Sequence, residues 1–178
     1  ALLGFYGYVF LYTHWLKRRT PQNIVIGGAA GAIPPLVGYA AVTGTLDLTA
    51  WTLFLIIFYW TPPHFWALAL LKKRDYGAAG VPMAPLIWGE KHTKDQMLWY
   101  LGIMVALSVL PFCTGAFGLF YLVSAVVVAA PLAYGIIKIR WGRGHDDSTA
   151  TERFVFMYSL LYLALLYVAM VVDLHVFR

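Results

Sequence analysis

Long apolar stretches alternate with short polar loops along the whole chain. All but the first come close to or exceed the roughly 17 residues that an α-helix needs to cross the hydrocarbon layer of a membrane. The stretches are Leu2 to Trp15, Ile24 to Val42, Leu48 to Leu71, Met97 to Cys113, Ala116 to Ile139 and Phe154 to Val172. This pattern predicts one all-α domain over residues 1–178, a polytopic bundle with six transmembrane helices.

The composition also indicates an integral membrane protein. Hydrophobic residues make up 61% and charged residues 12% of the chain, and the mean hydropathy is +0.72. Soluble proteins carry about a quarter charged residues. The first apolar stretch is short and no Met precedes it, so we expect a truncated span with residues missing upstream. Cys113 is the single cysteine, which excludes an internal disulfide and a CxxC redox motif.

The basic residues predict the orientation in the membrane. If every stretch crosses, all 13 Lys and Arg residues except Arg178 fall in loops on one side. By the positive-inside rule that side is cytoplasmic, or faces the matrix of a mitochondrion. We therefore expect a multi-pass protein of the bacterial plasma membrane or the mitochondrial inner membrane. Topology explains the net charge of +5, and no nucleic-acid partner is needed.

Two proline pairs and a glycine-rich run predict an irregular bundle. Pro34-Pro35 and Pro62-Pro63 are expected to interrupt and bend the second and third helices, because each proline removes a backbone donor. Such breaks are tolerated in a membrane where protein or a wet cavity satisfies the freed carbonyls. We expect a cavity between these two helices. The small residues of 27–32, GGAAGA, would allow a helix or a flat ligand to approach closely, and close packing alone is the alternative.

His64 stands out because it is ionisable and lies inside an apolar stretch. Asp75 follows eleven residues later, so on an unbroken helix the two side chains would share one stripe. His64 would then lie roughly 12 Å inside the boundary marked by Lys72, at about 1.5 Å per residue. An ionisable group at that depth is interpreted as functional. The alternative is a structural histidine bonded to a carbonyl that Pro62-Pro63 set free.

Two polar loops on the basic side carry the candidate chemistry. The first, residues 12–23, reads YTHWLKRRTPQN, and three consecutive cations suit a multiply charged anion. The second contains residues 72–76, KKRDY, in which cations can hold a diphosphate and a carboxylate can bring in Mg²⁺. Magnesium sites use one or two carboxylates together with substrate phosphates. Asp75 would be half of such a site.

Three blocks of sequence resemble the heme O synthases (protoheme IX farnesyltransferases), which are prenyltransferases of the UbiA superfamily. They are YTHWLKRRTPQN at 12–23, GAAGAIPPLVGYAAVTG at 28–44 and TPPHFWALALLKKRDYGAAGVPMAP at 61–85. The resemblance implies nine transmembrane helices around a central cavity, of which the six predicted here correspond to the fourth to the ninth. The family's NxxxDxxxD motif, which supplies most ligands of the Mg²⁺-diphosphate, does not occur in this sequence. A chain truncated before the fourth helix would explain this, and the fragment alone is expected to be inactive.

The resemblance implies a reaction and roles for individual residues. A farnesyl group would pass from farnesyl diphosphate to a vinyl group of heme B, giving heme O and diphosphate, with Mg²⁺ as cofactor. Membrane lipid surrounds the enzyme, and heme A synthase would act downstream in cytochrome oxidase biogenesis. The implied catalytic residues are Asp75, which also binds the metal, His64 and Tyr76. The implied substrate-binding residues are Tyr12, Lys17, Arg18, Lys72, Arg74 and His64.

Simpler interpretations of these residues stay open. Asp75 is alternatively a helix-end partner of Lys72 or Arg74, each loop cation a topological anchor, and Tyr12 and Tyr76 interfacial aromatics.

Other interpretations concern an acidic cluster and the function itself. Asp146, Asp147 and Glu152 are interpreted as a solvated face or as charges at a helix N-terminus. The alternative functions are a UbiA-type prenyltransferase acting on a quinone or chlorophyll precursor, and a heme or lipid transporter.

Overall fold

The computed structural model describes residues 2–6, 9–10, 19–142 and 145–177, and these residues form helices and connecting loops without a β-strand. The predicted all-α fold is confirmed. The helices are α1 (Leu2–Tyr6), α2 (Asn23–Gly31), α3 (Ile33–Thr43), α4 (Leu48–Leu71), α5 (Lys73–Ala78), α6 (Ala84–Ile87), α7 (Glu90–Cys113), α8 (Leu119–Trp141) and α9 (His145–Val176).

Five helical segments of the described chain are long and apolar enough to cross a membrane. They are Asn23–Thr43, Leu48–Leu71, Glu90–Cys113, Leu119–Trp141 and Thr149–Val176. They correspond to the second to sixth predicted spans. Half of the first predicted span lies outside the described residues, so the count of six stays a prediction.

The second span breaks where proline enters the sequence. Its two halves, α2 and α3, are separated at Ala32. Pro34 lies in the first turn of α3, where a missing N–H costs nothing. At the C-terminal end of α3, Gly44 adopts φ +73°, and its N–H donates a hydrogen bond to the carbonyl of Ala40. The predicted interruption at Pro34-Pro35 is confirmed, just upstream of the pair.

The prediction that Pro62-Pro63 interrupts the third span is wrong. Helix α4 runs through both prolines to Leu71. Both prolines are buried, so the packing of neighbouring helices outweighs the loss of two backbone donors. The break comes instead at Lys72, beyond which α5 starts. His64 and Asp75 therefore do not share one unbroken helix.

Helix α4 is the centre of the bundle. It packs against α2 and α3 on one side and against α7 and α9 on another, while α8 packs against both α7 and α9. The α8–α9 contact is close because Gly135 has no side chain: a Cβ there would lie 2.6 Å from Cγ2 of Val155. Large apolar side chains such as Val127 and Val168 stay exposed, as expected of surfaces that face lipid.

A buried carboxylate joins α8 to α9 at the end of the bundle where α8 begins. Asp173 is fully buried and accepts hydrogen bonds from the backbone N–H of Gly118 (2.6 Å) and of Tyr121 (3.1 Å). The first N–H groups of a helix lack partners within the helix. Asp173, from another helix, therefore caps α8.

Nearby, hydroxyl groups link α7 to its neighbours. The Tyr121 hydroxyl donates to the Ser108 carbonyl (2.7 Å), and the hydroxyls of Ser108 and Tyr162 lie 2.7 Å apart. These bonds satisfy polar groups that would be costly to bury alone.

Helix α4 begins at the same end of the bundle, and its first turn is also capped by an aspartate. Exposed Asp47 accepts a hydrogen bond from the Tyr39 hydroxyl (2.6 Å) and one from the backbone N–H of Ala50 (3.1 Å). These bonds hold the pKa of Asp47 below its ordinary value.

Candidate functional site

A polar cleft of about 860 Å³ opens at the end of the bundle where α4 stops. Beyond the break at Lys72, α5 forms one wall, and Glu90 of α7 with Thr149 and Glu152 of α9 contributes to the lining. The cleft is lined by Leu70, Leu71, Lys72, Lys73, Arg74, Asp75, Gly77, Ala78, Leu86, Glu90, Thr149 and Glu152. The structure thus brings together three of the sequence-predicted site residues, Lys72, Arg74 and Asp75.

Asp75 lies on α5 and is mostly exposed. Its Oδ2 is 3.3 Å from Nζ of Lys72, with 69% and 55% of the two side chains exposed. An ion pair this exposed is worth about 1 kcal/mol at most. A charged ligand can therefore replace Lys72 as the partner of Asp75 at little cost. The helix-end pairing that was the alternative interpretation is present, and a metal or catalytic role of Asp75 stays a prediction.

Ion pairs fix the position of α5 relative to α7. Lys73 donates to Oε1 of Glu90 at 2.9 Å, and Nζ of Lys94 lies 3.6 Å from Oε2 of the same carboxylate. Glu90 is thus already matched by two ammonium groups. Among the cations at 72–74, Lys73 serves to hold the wall of the cleft.

The interpretation of Glu152 as part of a solvated face is wrong. Its side chain is only 6% exposed and lines the cleft together with Thr149. Helix α9 starts at His145, well before its apolar stretch, so Glu152 belongs to the face that packs into the bundle. Its helical spacing with the buried Val155 and Ser159 was the signal in the sequence. The side chains of Asp146 and Asp147 lie outside the described residues.

His64 is buried in the contact between α4 and α9. Its Nδ1 lies 2.7 Å from Oγ of Ser159. The imidazole is stacked between the rings of Trp60 (centroids 4.5 Å apart, 16° between planes) and Phe156 (4.6 Å, 21°). The partner is thus a side chain of α9, which the sequence did not suggest, and not a carbonyl released by the prolines. Both ring faces are covered, which leaves the ring edge for any ligand. Its predicted site role stays a prediction.

The remaining predicted site residues are placed only in part. Tyr76 is half-buried and packs against the hydrophobic core beside the cleft. Tyr12, Lys17 and Arg18 lie outside the described residues, so the predicted first polar loop is not tested. No group of three His, Cys, Asp or Glu side chains among the described residues is arranged to hold a metal.

The cavity predicted between the second and third spans is present as a slot of about 200 Å³. Its lining consists of Ile24, Gly27, Gly28, Gly31, Ile57, Trp60, Thr61 and Phe65. The helices touch at Gly28, where a Cβ would lie 3.0 Å from Cγ2 of Thr61. A side chain at this position would press against Thr61, so glycine favours the close packing of α2 on α4.

The chain is similar to curated proteins named protoheme IX farnesyltransferase. It is 53% identical to that of Roseiflexus castenholzii over 99% of this chain and 32% of the relative. It is 53% identical to that of a Picosynechococcus strain (97% and 54%) and 51% identical to that of Burkholderia vietnamiensis (97% and 56%). The chain thus spans about a third to a little over half the length of these relatives.

Family membership follows from a match over nearly the whole chain. No solved structure matches the chain. The model of the UbiA prenyltransferase family matches residues 1–172. The chain therefore belongs to the UbiA prenyltransferase family.

Proposed function

We propose that the full-length protein is a heme O synthase, which transfers a farnesyl group from farnesyl diphosphate to a vinyl group of heme B. The observation that carries this proposal is the cleft in which Lys72, Arg74 and Asp75 meet at the end of an apolar bundle. Cations can bind the diphosphate group of farnesyl diphosphate, and the adjoining apolar helices can bind its farnesyl tail. The names of relatives with 51 to 53% identity support heme B as the acceptor.

Lys72 and Arg74 would bind the diphosphate by charge-assisted hydrogen bonds. As the C–O bond of farnesyl diphosphate breaks, the electron pair moves to the diphosphate. The two cations stabilise the negative charge that grows there. The allylic carbon left behind is electrophilic, and apolar lining residues such as Leu70, Leu71 and Leu86 keep bulk water away from it.

The acceptor then completes the reaction. The terminal vinyl carbon of heme B forms a C–C bond to the farnesyl group, and the positive charge moves to the carbon next to the porphyrin ring. Water adds there and releases a proton, which balances the charge of the departing diphosphate. The products are diphosphate and heme O, which carries a hydroxyethylfarnesyl substituent.

Magnesium fits the cleft only in part. Asp75 and Glu152 line it, but the described residues contain no set of three ligating side chains. We propose that Asp75 would hold Mg²⁺ together with phosphate oxygens of the substrate. The ion, when bound, supplies positive charge against the diphosphate.

The proposed location follows from the loop charges. We propose that the cleft opens to the cytoplasm of a bacterium or to the mitochondrial matrix, on the basic side of the membrane.

The proposed partners follow from the proposed reaction. Heme A synthase would use heme O as its substrate, and the proposed reaction involves no nucleic acid.

The acceptor specificity tests this function. The full-length protein in lipid vesicles, supplied with Mg²⁺ and farnesyl diphosphate, is expected to convert heme B to heme O, detected by mass-resolved chromatography. An aromatic quinone precursor offered instead should stay unmodified. Prenylation of the quinone precursor with heme B untouched would overturn the assignment in favour of the quinone branch. Absence of any prenylated product from folded protein would favour transport.

A further inference from the structure

A glutamate lines the cleft, where its charge opposes the binding of a diphosphate. Glu90 contributes to the lining together with Lys72, Arg74 and Asp75. Like charges repel, so a carboxylate in this place weakens the binding of an anion unless cations match its charge. Lys73 and Lys94 match it, and the pair with Lys73 also connects two helices. This connection gives the glutamate a use in the cleft.

Helix α5 is weakly attached to the bundle. It buries none of its 6 residues, and it packs against its chain neighbours α4 and α6. The backbone leaves helical geometry at Lys72 (φ −107°, ψ 25°), and it does so again just beyond the helix at Gly80 (φ +65°). Half-buried Tyr76 provides an apolar contact with the core. With so little burial, the orientation of α5 depends on the polar contacts of its side chains.

Glu90 is well placed to hold α5. Gly89 adopts φ +83°, and Glu90 follows it as the first residue of α7, where a negative charge is favourable. Its Oε2 lies 3.6 Å from Nζ of Lys94, one turn further along the same helix. Its Oε1 accepts the hydrogen bond from Lys73 at 2.9 Å. One carboxylate is thus fixed on α7 and joins this helix to α5.

Holding Lys73 also sets the direction of its neighbours. Successive residues of an α-helix point about 100° apart, so fixing one side chain fixes the rotation of the helix. In this rotation Arg74 and Asp75 line the cleft beside Lys72. The ammonium group of Lys73 is already bonded to Glu90, which leaves Lys72 and Arg74 as the cations of this segment for the diphosphate.

We propose that Glu90 is a positioning residue, which holds α5 through Lys73 so that Lys72, Arg74 and Asp75 are presented to the diphosphate of the substrate. This inference rests on the proposed function, because it takes a diphosphate as the ligand of the cleft. Glu90 acts on the ligand through Lys73 and does not bind it.

Glu90→Gln separates positioning from simple electrostatics by the sign of its effect. The substitution removes a negative charge from the cleft and frees Lys73, so electrostatics alone predicts tighter binding of an anion. Loss of position predicts weaker binding. The probe is an inert thiodiphosphate analogue of farnesyl diphosphate, and its Kd is measured with the full-length protein in lipid vesicles at constant Mg²⁺. We expect Kd to rise roughly 5-fold, the amount that an exposed ion pair can contribute.

Asp95→Asn is the matched control for this measurement. Asp95 lies on the same helix and pairs with Arg140, but it is not among the residues that line the cleft. The substitution removes the same charge from α7 and should leave Kd unchanged.

A double-mutant cycle tests whether Lys73 is the link. Lys73→Gln breaks the same ion pair and should weaken binding, whereas Lys73→Arg keeps a donor for Glu90 and should bind like wild type. The double variant Lys73→Gln/Glu90→Gln should bind no more weakly than Lys73→Gln, because the second change removes a contact that is already lost. A further loss in the double variant would show that Glu90 acts without Lys73, and would overturn the link.

Hydrogen exchange measures the attachment of α5 without any ligand. Peptides that cover residues 73–80 should exchange their amide hydrogens faster in Glu90→Gln than in wild type, because a weakly held helix opens more often. Peptides from α4 should exchange at the wild-type rate, and the midpoint of thermal unfolding should stay the same. Unchanged exchange over residues 73–80 would overturn the inference.

The outcomes separate this inference from the proposed function. If wild type binds the analogue and Glu90→Gln binds it equally well or more tightly, the inference is wrong and the proposed function stands. If wild type binds no analogue, the proposed function fails. Faster exchange of α5 in Glu90→Gln would in that case still show that Glu90 holds this helix.

Discussion

Replacing Asp75 by alanine in the full-length protein is expected to lower the rate of heme O formation by about 100-fold or more, since Asp75 is proposed to hold the Mg²⁺ whose positive charge stabilises the departing diphosphate, and loss of one such stabilising group typically costs 100- to 1,000-fold. Asp75 lines the cleft beside Lys72 and Arg74, where the diphosphate is proposed to leave. The rate is measured by chromatography of the heme product at saturating farnesyl diphosphate and Mg²⁺. The midpoint of thermal unfolding should hardly change, because the ion pair of Asp75 among the described residues is with the exposed Lys72.

Asp95→Asn is the matched control for this substitution. Asp95 lies in α7 on the same side of the membrane and forms an ion pair with Arg140, but it does not line the cleft. Its loss removes the same charge and is expected to leave the rate within a few-fold of wild type. Equal losses in both variants, or an unchanged rate in Asp75→Ala, would contradict the role given to Asp75.

Replacing Asp173 by alanine is expected to lower the free energy of unfolding by about 3 kcal/mol, because one part-buried and one buried N–H group at the start of α8 lose their acceptor. These are the N–H groups of Gly118 and Tyr121. Asp173→Asn keeps an oxygen that can accept one of the bonds and should lose less. Stability is measured as the unfolding midpoint of the full-length protein in detergent micelles.

The comparison with Asp47 isolates the effect of burial. Asp47 also caps a helix, through the N–H of Ala50, but it is exposed. In Asp47→Ala water can replace the carboxylate, so the loss of stability should be clearly smaller than in Asp173→Ala. The rate per folded molecule should stay at the wild-type level in both variants, since neither residue lines the cleft. A midpoint unchanged in Asp173→Ala would refute the cap.

The hydrophobic pattern predicted the spans because a helix that crosses the hydrocarbon layer needs a long run of apolar residues. The pattern underestimated the lengths of α7 and α9. These helices start at Glu90 and His145, several residues before the apolar stretches begin. A helix does not stop where hydrocarbon stops; it continues in water as long as backbone bonds and tertiary contacts support it. Glu152 and Thr149 reach the cleft on such an extension.

Local rules for proline succeeded at one pair and failed at the other. Pro34 lies near a helix start, where sequence and structure agree. Pro62 and Pro63 lie inside a helix that neighbouring helices hold together, and this tertiary effect has no local signal. The end of α4 at Leu71 agrees with the predicted apolar stretch, because the polar residues from Lys72 onward are a local signal. The ion pair of Lys73 with Glu90 of α7 depends on the tertiary fold.

The candidate site was predictable where its residues are adjacent in sequence. Lys72, Arg74 and Asp75 lie within four consecutive residues, at the start of α5, so their proximity followed from the sequence alone. Ser159 and Glu152 enter from α9, and their approach to α4 depends on the topology of the bundle. A buried serine or glutamate in an amphipathic repeat gives no information about which helix it will meet.

The affinity for an inert thiodiphosphate analogue of farnesyl diphosphate tests the central claim most directly, since it measures binding in the cleft without chemistry. The double variant Lys72→Gln/Arg74→Gln is compared with Lys91→Gln/Arg153→Gln, which removes two exposed charges outside the cleft. We expect Kd to rise about 100-fold or more in the first, given roughly 1.5–3 kcal/mol for each hydrogen bond to a charged group, and only a few-fold in the second. Equal weakening in the two double variants would show that the diphosphate responds to the net charge of the membrane face, and would contradict the cleft as its site.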